Sequence, residues 1–327
     1  MIESDGWDPT IRVAVLGAAG FVGRWVARAL CARGANLYLV VRNKTIAQNL
    51  CYAYGIHGKT FEADLRDARV VRRLFEEIRP SITFNLTGYG VKPGERDEET
   101  SYRINMHLVE AICGSLEETR DPEWQGQDIV HVGSALEYGA IGGNLSEESN
   151  TNPTTMYGKS KVAGTDSLAR CCKAYGIRGL TARLFTVYGP GEHDGRLLPS
   201  LLDAAKADMP LQLTAGIQKR DFTYVEDVAE GLVRLGLAQV DPGEIINLAT
   251  GHLTSVRCFA ETAAKILQIP SDRLEFGALP TRIEEMEHGS VSIERLRRLI
   301  AWVPPTSIKE GIHRTLDFAK IQGVSAS

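Results

Sequence analysis

The stretch IRVAVLGAAGFVG, residues 11–23, places an apolar strand directly before a glycine-rich turn that opens a helix. In such a turn the first glycine permits the bend, the second lets backbone N–H groups approach a pyrophosphate at the helix N-terminus, and the third lets the helix pack close to the strand. The spacing is G-x-x-G-x-x-G rather than G-x-G-x-x-G, so an ordinary strand-to-helix turn is the alternative. In this strand–turn–helix context we favour dinucleotide binding. The predicted cofactor-binding residues here are Gly17, Gly20, Phe21, Val22 and Gly23.

Apolar strands alternate with helical patterns through the first half of the chain. Strands that are apolar throughout and separated by helices predict a parallel sheet covered on both faces. Strands are expected over 11–17, 36–41, 59–65, 81–86, 128–133 and 179–185, and helices over 20–34, 67–78, 98–118 and 157–176. The predicted fold class is α/β: a Rossmann-type doubly wound parallel sheet with a smaller mixed α/β substrate domain.

The alternation of strand and helix patterns ends after Arg183. The next segment, TVYGPGEHDG (186–195), is rich in glycine and proline and is predicted to be a loop. We therefore expect an NAD(P)-binding domain over residues 1–185 and a substrate domain over 186–327. The segment 220–250 is expected to return to the first domain, because GEIINLATG (243–251) has the pattern of another buried strand.

Composition excludes several classes of protein. The chain has 327 residues, is 43% hydrophobic and 24% charged, and carries a net charge of −4. This balance argues against a general nucleic-acid binder, which usually has a basic surplus. No signal peptide, membrane-length apolar run, C-x-x-C pair or metal-ligand pattern is found, so the sequence predicts a cytoplasmic protein without a metal or a membrane partner.

The end of the second strand bears on the choice of cofactor. An acidic residue here would bind the ribose hydroxyls of the adenosine, but Arg42 and Asn43 stand in its place. Because arginine can bind a 2′-phosphate, NADP(H) is favoured over NAD(H), with an exposed surface arginine as the alternative. After the third and fourth strands, further cofactor contacts are predicted from Asp64, Leu65, Leu86, Thr87 and Gly88.

Tyr157 and Lys161 stand four residues apart in YGKSK and share one face of a predicted helix. A nearby ammonium favours the phenolate, so we expect Lys161 to lower the pKa of Tyr157 and make it a usable general acid or base. Both residues are also expected to contact the cofactor, Lys161 through the nicotinamide ribose. Ser134, at the end of a preceding strand, completes the predicted constellation; a solvated tyrosine–lysine pair and a turn serine are the alternatives.

The chain resembles the extended short-chain dehydrogenase/reductases that act on nucleotide sugars. The resemblance covers nearly the whole chain and is carried by GAAGFVG, GSALEYG, YGKSK, RLFTVYGPG, RDFTYVEDVAEGL, INLATG and TSIKEGIHRTLDF. It implies that Ser134 binds the reacting sugar oxygen, that Tyr157 is the acid/base with Lys161 as its partner, and that Asn105 is the structural asparagine of the catalytic set.

The resemblance also implies residues that bind the substrate. Arg220 matches an arginine that often binds the diphosphate of the substrate. The alternative is that Arg220 forms an ion pair with Asp221 or Asp227. Arg282 resembles a second nucleotide-binding arginine, although the Pro-Gly that usually follows is missing. Thr186 replaces an asparagine that is usual in the family, so one contact to the substrate phosphate is expected to differ.

The residues after Ser134 bear on the reaction. Dehydratases of the family carry Asp-Glu there, whereas this chain has Ala135 and Leu136, which cannot titrate. Together with Arg42, which favours an exchangeable NADPH, this predicts reduction of a nucleotide-linked 4-keto-6-deoxyhexose at C4, and the chain also resembles reductases of GDP-4-keto-6-deoxymannose. A C4 epimerase and a non-catalytic dinucleotide sensor are the alternatives.

Two further expectations concern Glu137 and assembly. Glu137 either reaches the sugar or caps a nearby loop. The resemblance implies a homodimer formed through the helices near 98–118 and 157–175, with a small nucleotide sugar as the other partner.

Overall fold

A computed structural model describes residues 7–91, 94–207, 209–280 and 288–321. In this part of the chain, seven parallel strands form the main sheet in the order β10-β6-β5-β4-β1-β2-β3. Their bounds are β1 Arg12–Leu16, β2 Asn36–Val41, β3 Lys59–Glu62, β4 Ile82–Asn85, β5 Ile129–Ser134, β6 Gly179–Leu184 and β10 Glu244–Leu248. The predicted α/β class with a doubly wound parallel sheet is confirmed.

Helices cover both faces of this sheet. The helices are α1 Phe21–Ala32, α2 Lys44–Tyr54, α3 Ala68–Ile78, α4 Glu98–Tyr102, α5 Leu108–Thr119, α6 Met156–Tyr175, α7 Leu197–Ala207, α8 Val225–Leu237, α9 Val256–Leu267, α10 Glu294–Ile300 and α11 Ile308–Ile321. α1, α2 and α8 pack on one face and α3, α5 and α6 on the other. β1 serves both layers, because Val13 and Val15 face the first and Ala14 and Leu16 the second.

Smaller sheets follow the sixth strand. β7 Thr186–Tyr188, β9 Lys219–Tyr224 and β11 Leu253–Ser255 form one, and β8 Leu211–Leu213 pairs with β12 Leu274–Phe276 in another. β10 lies beside β6 at the edge of the main sheet, with Ile246 opposite Ala182.

Three local predictions need correction. The segment 186–195 is not wholly a loop, because Thr186 pairs with Phe222 in β7 and β9. The helix expected over 98–118 is interrupted by a π-helical turn, Arg103–His107. α2 has no counterpart in the sequence prediction, although the Asn43 side chain caps it by accepting from Ile46 N–H and Gly55 ends it in the left-handed conformation.

None of the described helices is both long and apolar enough to span a membrane.

Candidate active site

The carboxyl ends of the parallel strands open into one cavity of about 1280 Å³. Most of the predicted site residues line it, although they are far apart in sequence: Gly17, Gly20, Phe21, Val22, Arg42, Asn43, Asp64, Leu65, Leu86, Thr87, Gly88, Ser134, Tyr157, Lys161, Thr186 and Arg220. Gly23 and Asn105 lie outside its wall, and Arg282 lies outside the described residues. The cavity therefore joins the predicted cofactor and substrate residues in one continuous space.

The glycine loop forms a cradle at the start of α1. A Cβ on Gly17 would lie 3.0 Å from the carbonyl oxygen of Leu86, and the positive φ of Gly17, 78°, also disfavours a side chain. Gly20 is the N-cap residue of α1, no side chain among the described residues caps this end of the helix, and its first turn has no acidic residue. Uncapped amides at a helix N-terminus bind anions, so the loop fits the pyrophosphate of a dinucleotide.

Gly23 packs closely against the glycine loop. A Cβ on this residue would lie 2.1 Å from the Gly17 carbonyl oxygen. The helix can approach the loop only because the side chain is absent. Gly23 does not line the cavity, and its place in the cofactor-binding set stays a prediction.

The far end of the cofactor cleft lies at the ends of β2 and β3. Arg42 is exposed and lines the cavity, and its charge helps to lower the pKa of Asp64. Asp64 has a pKa of about 2, chiefly because the Arg66 side chain donates hydrogen bonds to both of its carboxylate oxygens, the shortest at 2.6 Å. Glu62 accepts from Lys44 N–H at 2.8 Å and so occupies one amide at the start of α2.

Ser134, Tyr157 and Lys161 meet at the middle of the cavity. The buried Lys161 ammonium donates to the carbonyl oxygens of Val132, at 2.9 Å, and Thr87, at 3.3 Å. It lies 5.9 Å from the centre of the Tyr157 ring. The Ser134 hydroxyl lies close enough to the Tyr157 hydroxyl to favour its ionised form. Two hydroxyls are thus held where one substrate oxygen could contact both.

The electrostatics of this group differ from the prediction. The pKa of Tyr157 is raised, not lowered, chiefly by burial and then by the charges of Glu137 and Glu95; Arg196 and Ser134 oppose the rise. Burial lowers the pKa of Lys161 to about 8, against the opposing effect of Glu137. Desolvation therefore dominates the pKa of Tyr157, which is a protonated phenol near neutral pH.

Asn105 supports the site from outside the cavity. It lies in the π-helical turn and is fully buried. Its carboxamide accepts from Tyr89 N–H at 3.1 Å and donates to the Tyr89 carbonyl oxygen and the Ser160 hydroxyl, each at 2.8 Å. These bonds fix the loop after β4 against α6, which carries Tyr157 and Lys161.

Glu137 caps the turn that follows Ser134 and does not line the cavity. It accepts from Ser134 N–H at 2.7 Å and from the Arg183 guanidinium at 2.8 Å, and the Thr165 hydroxyl donates to it at 3.0 Å. Both members of the ion pair are almost fully buried, at 0% and 3% side-chain exposure. Of the two roles considered for Glu137, contact with the sugar and capping of a nearby loop, the structure shows capping.

The end of the cavity predicted to bind the substrate is lined by Thr186, Arg220, Asp221 and His288. Asp221 is fully buried and accepts hydrogen bonds from Thr250 N–H, Gly251 N–H and the Thr223 hydroxyl. The carboxylate of Asp227 accepts hydrogen bonds from the backbone N–H and the hydroxyl of Thr306. Both aspartates that could have paired with Arg220 therefore have other donors.

Glu192 was not predicted as a site residue, yet it lines the cavity. Burial raises its pKa to about 7, and the charge of Arg196, its hydrogen bond and the Gly189 backbone only partly oppose this. The sequence places Glu192 in a glycine-rich loop, which gives no sign of burial.

These features fit an enzyme that binds a dinucleotide at its glycine cradle. The family model described as "NAD dependent epimerase/dehydratase family" matches residues 13–249. The chain therefore belongs to the NAD-dependent epimerase/dehydratase family, which confirms the resemblance and the enzyme class.

Curated relatives match over almost their full length. The chain is 27% identical over 313 residues to a dTDP-6-deoxy-L-talose 4-dehydrogenase (NAD(P)(+)) of Kitasatospora kifunensis, covering 92% of this chain and 93% of that one. It is also 27% identical over 321 residues to a UDP-glucose 4-epimerase of Mycolicibacterium smegmatis, covering 94% and 98%.

A solved structure agrees with the fold. The UDP-glucuronic acid 4-epimerase of Bacillus cereus, in complex with UDP-glucuronic acid and NAD, superposes with a TM-score of 0.81 at 21% identity, covering 96% of this chain and 99% of that one. At this identity the likeness supports the architecture alone.

Replacing Glu137 with alanine should lower the free energy of unfolding by roughly 3–5 kcal/mol, because Arg183 would keep a buried charge without its partner. Glu137→Gln retains an acceptor for Ser134 N–H and should lose less. Urea unfolding of both variants measures this. Glu118→Ala, which removes an exposed pair with Arg72, is the matched control and should change the value by less than about 1 kcal/mol. A loss as small as the control's in E137A would contradict the prediction.

Glu192 should make stability depend on pH. Its pKa is about 7 in the folded chain against an ordinary 4.5, so the folded state holds a proton that the unfolded state releases between these values. The contribution to stability is therefore full below pH 4.5 and is lost as the pH rises through 7. Glu192→Gln should be more stable than the parent chain by roughly 2–3 kcal/mol at about pH 8 and nearly equal at about pH 5. Urea unfolding at both pH values checks this; parallel pH profiles for the two proteins would refute it.

Proposed function

We propose that this protein reduces the C4 carbonyl of a nucleotide-linked 4-keto-6-deoxyhexose, with NADPH as the reductant. The observation that carries the proposal is the cavity wall around Ser134: two hydroxyls lie together there, and the next two residues, Ala135 and Leu136, line the cavity without a titratable group. Bound NADPH would supply a hydride to C4. The phenol of Tyr157 would supply the proton that the resulting alkoxide needs.

Each polar residue then has a defined task. Ser134 and Tyr157 would hydrogen-bond the carbonyl oxygen, and Tyr157, protonated near neutral pH, would donate its proton as the charge develops. Lys161 would hold the nicotinamide ribose, and Asn105 would position the loop and helix around it. Glu137 forms a buried ion pair with Arg183 and is therefore not available for the proton transfers of dehydration.

A C4 epimerase is the second candidate, because the UDP-glucose 4-epimerase of M. smegmatis is as similar to this chain as the dTDP-6-deoxy-L-talose dehydrogenase is. An epimerase regenerates its cofactor in each turnover. It would therefore interconvert two sugars without net consumption of NADPH, which separates the two candidates directly.

The cofactor preference rests on Arg42. It makes no hydrogen bond or ion pair with any residue that the structure describes, so its guanidinium is available to a 2′-phosphate. Since Glu62 occupies the amide of Lys44, the phosphate would depend chiefly on Arg42.

The remaining proposals concern the substrate and the assembly. The nucleotide would lie against Arg220 and Thr186, with Arg282 as a further contact, in a substrate domain built from residues 186–327 with the 220–250 segment returned to the main sheet. We also propose a cytoplasmic homodimer that pairs α4–α5 and α6 of each chain, as the family resemblance implies.

The reaction can be tested by mixing the protein with NADPH and a panel of 4-keto-6-deoxy sugar nucleotides. Loss of NADPH absorbance with at least one sugar is expected, and Tyr157→Phe should slow it by roughly 100- to 10,000-fold, because the general acid is removed. Tyr175→Phe, at the far end of the same helix, is the control. No consumption with any sugar would overturn the function, and an unchanged rate in Y157F would overturn the mechanism.

Arg42→Ala should raise the KM for NADPH by roughly 10- to 100-fold, because a hydrogen-bonded charge pair with the 2′-phosphate is lost. The KM for NADH should stay the same. Steady-state kinetics with both cofactors measure this, with Arg69→Ala, on an exposed pair away from the cavity, as the control. Equal effects on the two cofactors, or a parent enzyme that prefers NADH, would show that the assignment is wrong.

A further inference from the structure

The loop 189–196 leads from β7 to α7 and lies against the start of α1. The Trp25 indole N–H donates to the Pro190 carbonyl oxygen at 2.9 Å, and this bond is buried. Gly191 lies so close to Arg24 and Tyr54 that a Cβ would come within 2.4 Å of the Tyr54 hydroxyl. The loop is therefore held at the glycine cradle, and its next residue, Glu192, is fixed at the cavity wall.

The Glu192 carboxylate is incompletely bonded. Its side chain is only 6% exposed, and Oε1 accepts a long hydrogen bond, 3.4 Å, from Arg196. Oε2 is buried and accepts no hydrogen bond from any residue in the described ranges. An unsatisfied buried carboxylate oxygen is costly, so its presence in a cavity wall points to a ligand that supplies the missing donor.

The position of the Glu192–Arg196 pair indicates which part of a ligand it meets. Glu192 and Arg196 line the same cavity as Tyr157, and the charge of Arg196 acts on the Tyr157 hydroxyl. A diphosphate brings negative charge and no donors, which does not suit a carboxylate. A sugar ring presents hydroxyl groups, which donate to a carboxylate without adding charge.

We propose that Glu192 is a sugar-binding residue, whose Oε2 accepts a hydrogen bond from a hydroxyl group of the hexose of the substrate. This rests on the proposed function only in that the site takes a nucleotide sugar. It assigns to the loop 189–196 a role in selecting the sugar, separate from the groups that act on the carbonyl.

The test compares ligands with and without the sugar. Calorimetric titration of the full chain with bound NADPH would measure Kd for UDP and UDP-glucose, dTDP and dTDP-glucose, and GDP and GDP-mannose. For the pair that the parent chain prefers, the hexose should tighten binding. Glu192→Ala should remove roughly 10- to 100-fold of that gain and leave the Kd of the nucleoside diphosphate unchanged.

Two further variants separate recognition from structure. Glu192→Gln keeps an acceptor oxygen and should retain part of the gain. Glu230→Ala removes a partly buried carboxylate that pairs with Arg33 and does not line the cavity, and it should retain all of the gain. Unchanged binding of the nucleoside diphosphate by E192A would show that the variant is folded.

The other outcomes overturn specific claims. If the hexose gain survives in E192A, or if E192A weakens NADPH or the nucleoside diphosphate instead, the role of Glu192 is wrong while the proposed function stands. A parent chain that gains nothing from the hexose also overturns the role. If the parent chain binds neither form of any nucleotide, the proposed function fails with it.

Discussion

Parallel strand pairing is the constraint on which the whole site depends. Parallel neighbours cannot be joined by tight turns, so the chain returns through helices and every strand of the main sheet ends at the same edge. It runs outward from β1 to β2 and β3, and then returns to β4 on the other side of β1. The connections after β1 and β4 therefore diverge and leave a crevice at this point. Gly17 and Leu86 meet at its base, where a Cβ would be crowded by the Leu86 carbonyl and the positive φ of Gly17 would strain a side chain.

A second constraint works at the neighbouring strand ends. Glu137 joins the turn after β5 to Arg183 in β6, and it does so with both charges out of water. A buried ion pair is weak evidence for net stability, because desolvation offsets much of its Coulomb energy. It does fix geometry, since Glu137 also accepts from Ser134 N–H. We interpret the pair as the device that holds the Ser134 hydroxyl opposite Tyr157, and its negative charge also raises the pKa of the phenol.

The sequence was sufficient for features encoded by local pattern, namely the strands of the main sheet, the glycine cradle and the residues at the strand ends. Features that depend on tertiary burial were missed. α2 buries only Ala47 and Tyr54, so its apolar stripe is weak. Asn43 and Gly55 are nevertheless residue types that typically begin and end a helix, and they could have indicated it. The raised pKa of Tyr157 comes from desolvation, which a spacing of four residues does not reveal. The burial of Glu192 depends on a loop anchored by Trp25, which precedes Pro190 by 165 residues.

The protonation state of Tyr157 bears on the direction of the reaction. Reduction of a carbonyl consumes a proton and begins from the phenol, whereas oxidation of a sugar hydroxyl, the first step of epimerisation, begins from the phenolate. Burial and the charges of Glu137 and Glu95 favour the phenol in this chain. An epimerase would need positive charge from its ligand, which an oxidised nicotinamide ring carries and a reduced one does not, to reverse that preference. A reductase would start from the state that the protein's own residues favour, whereas an epimerase would start from the phenolate and return through the phenol when it reduces its intermediate.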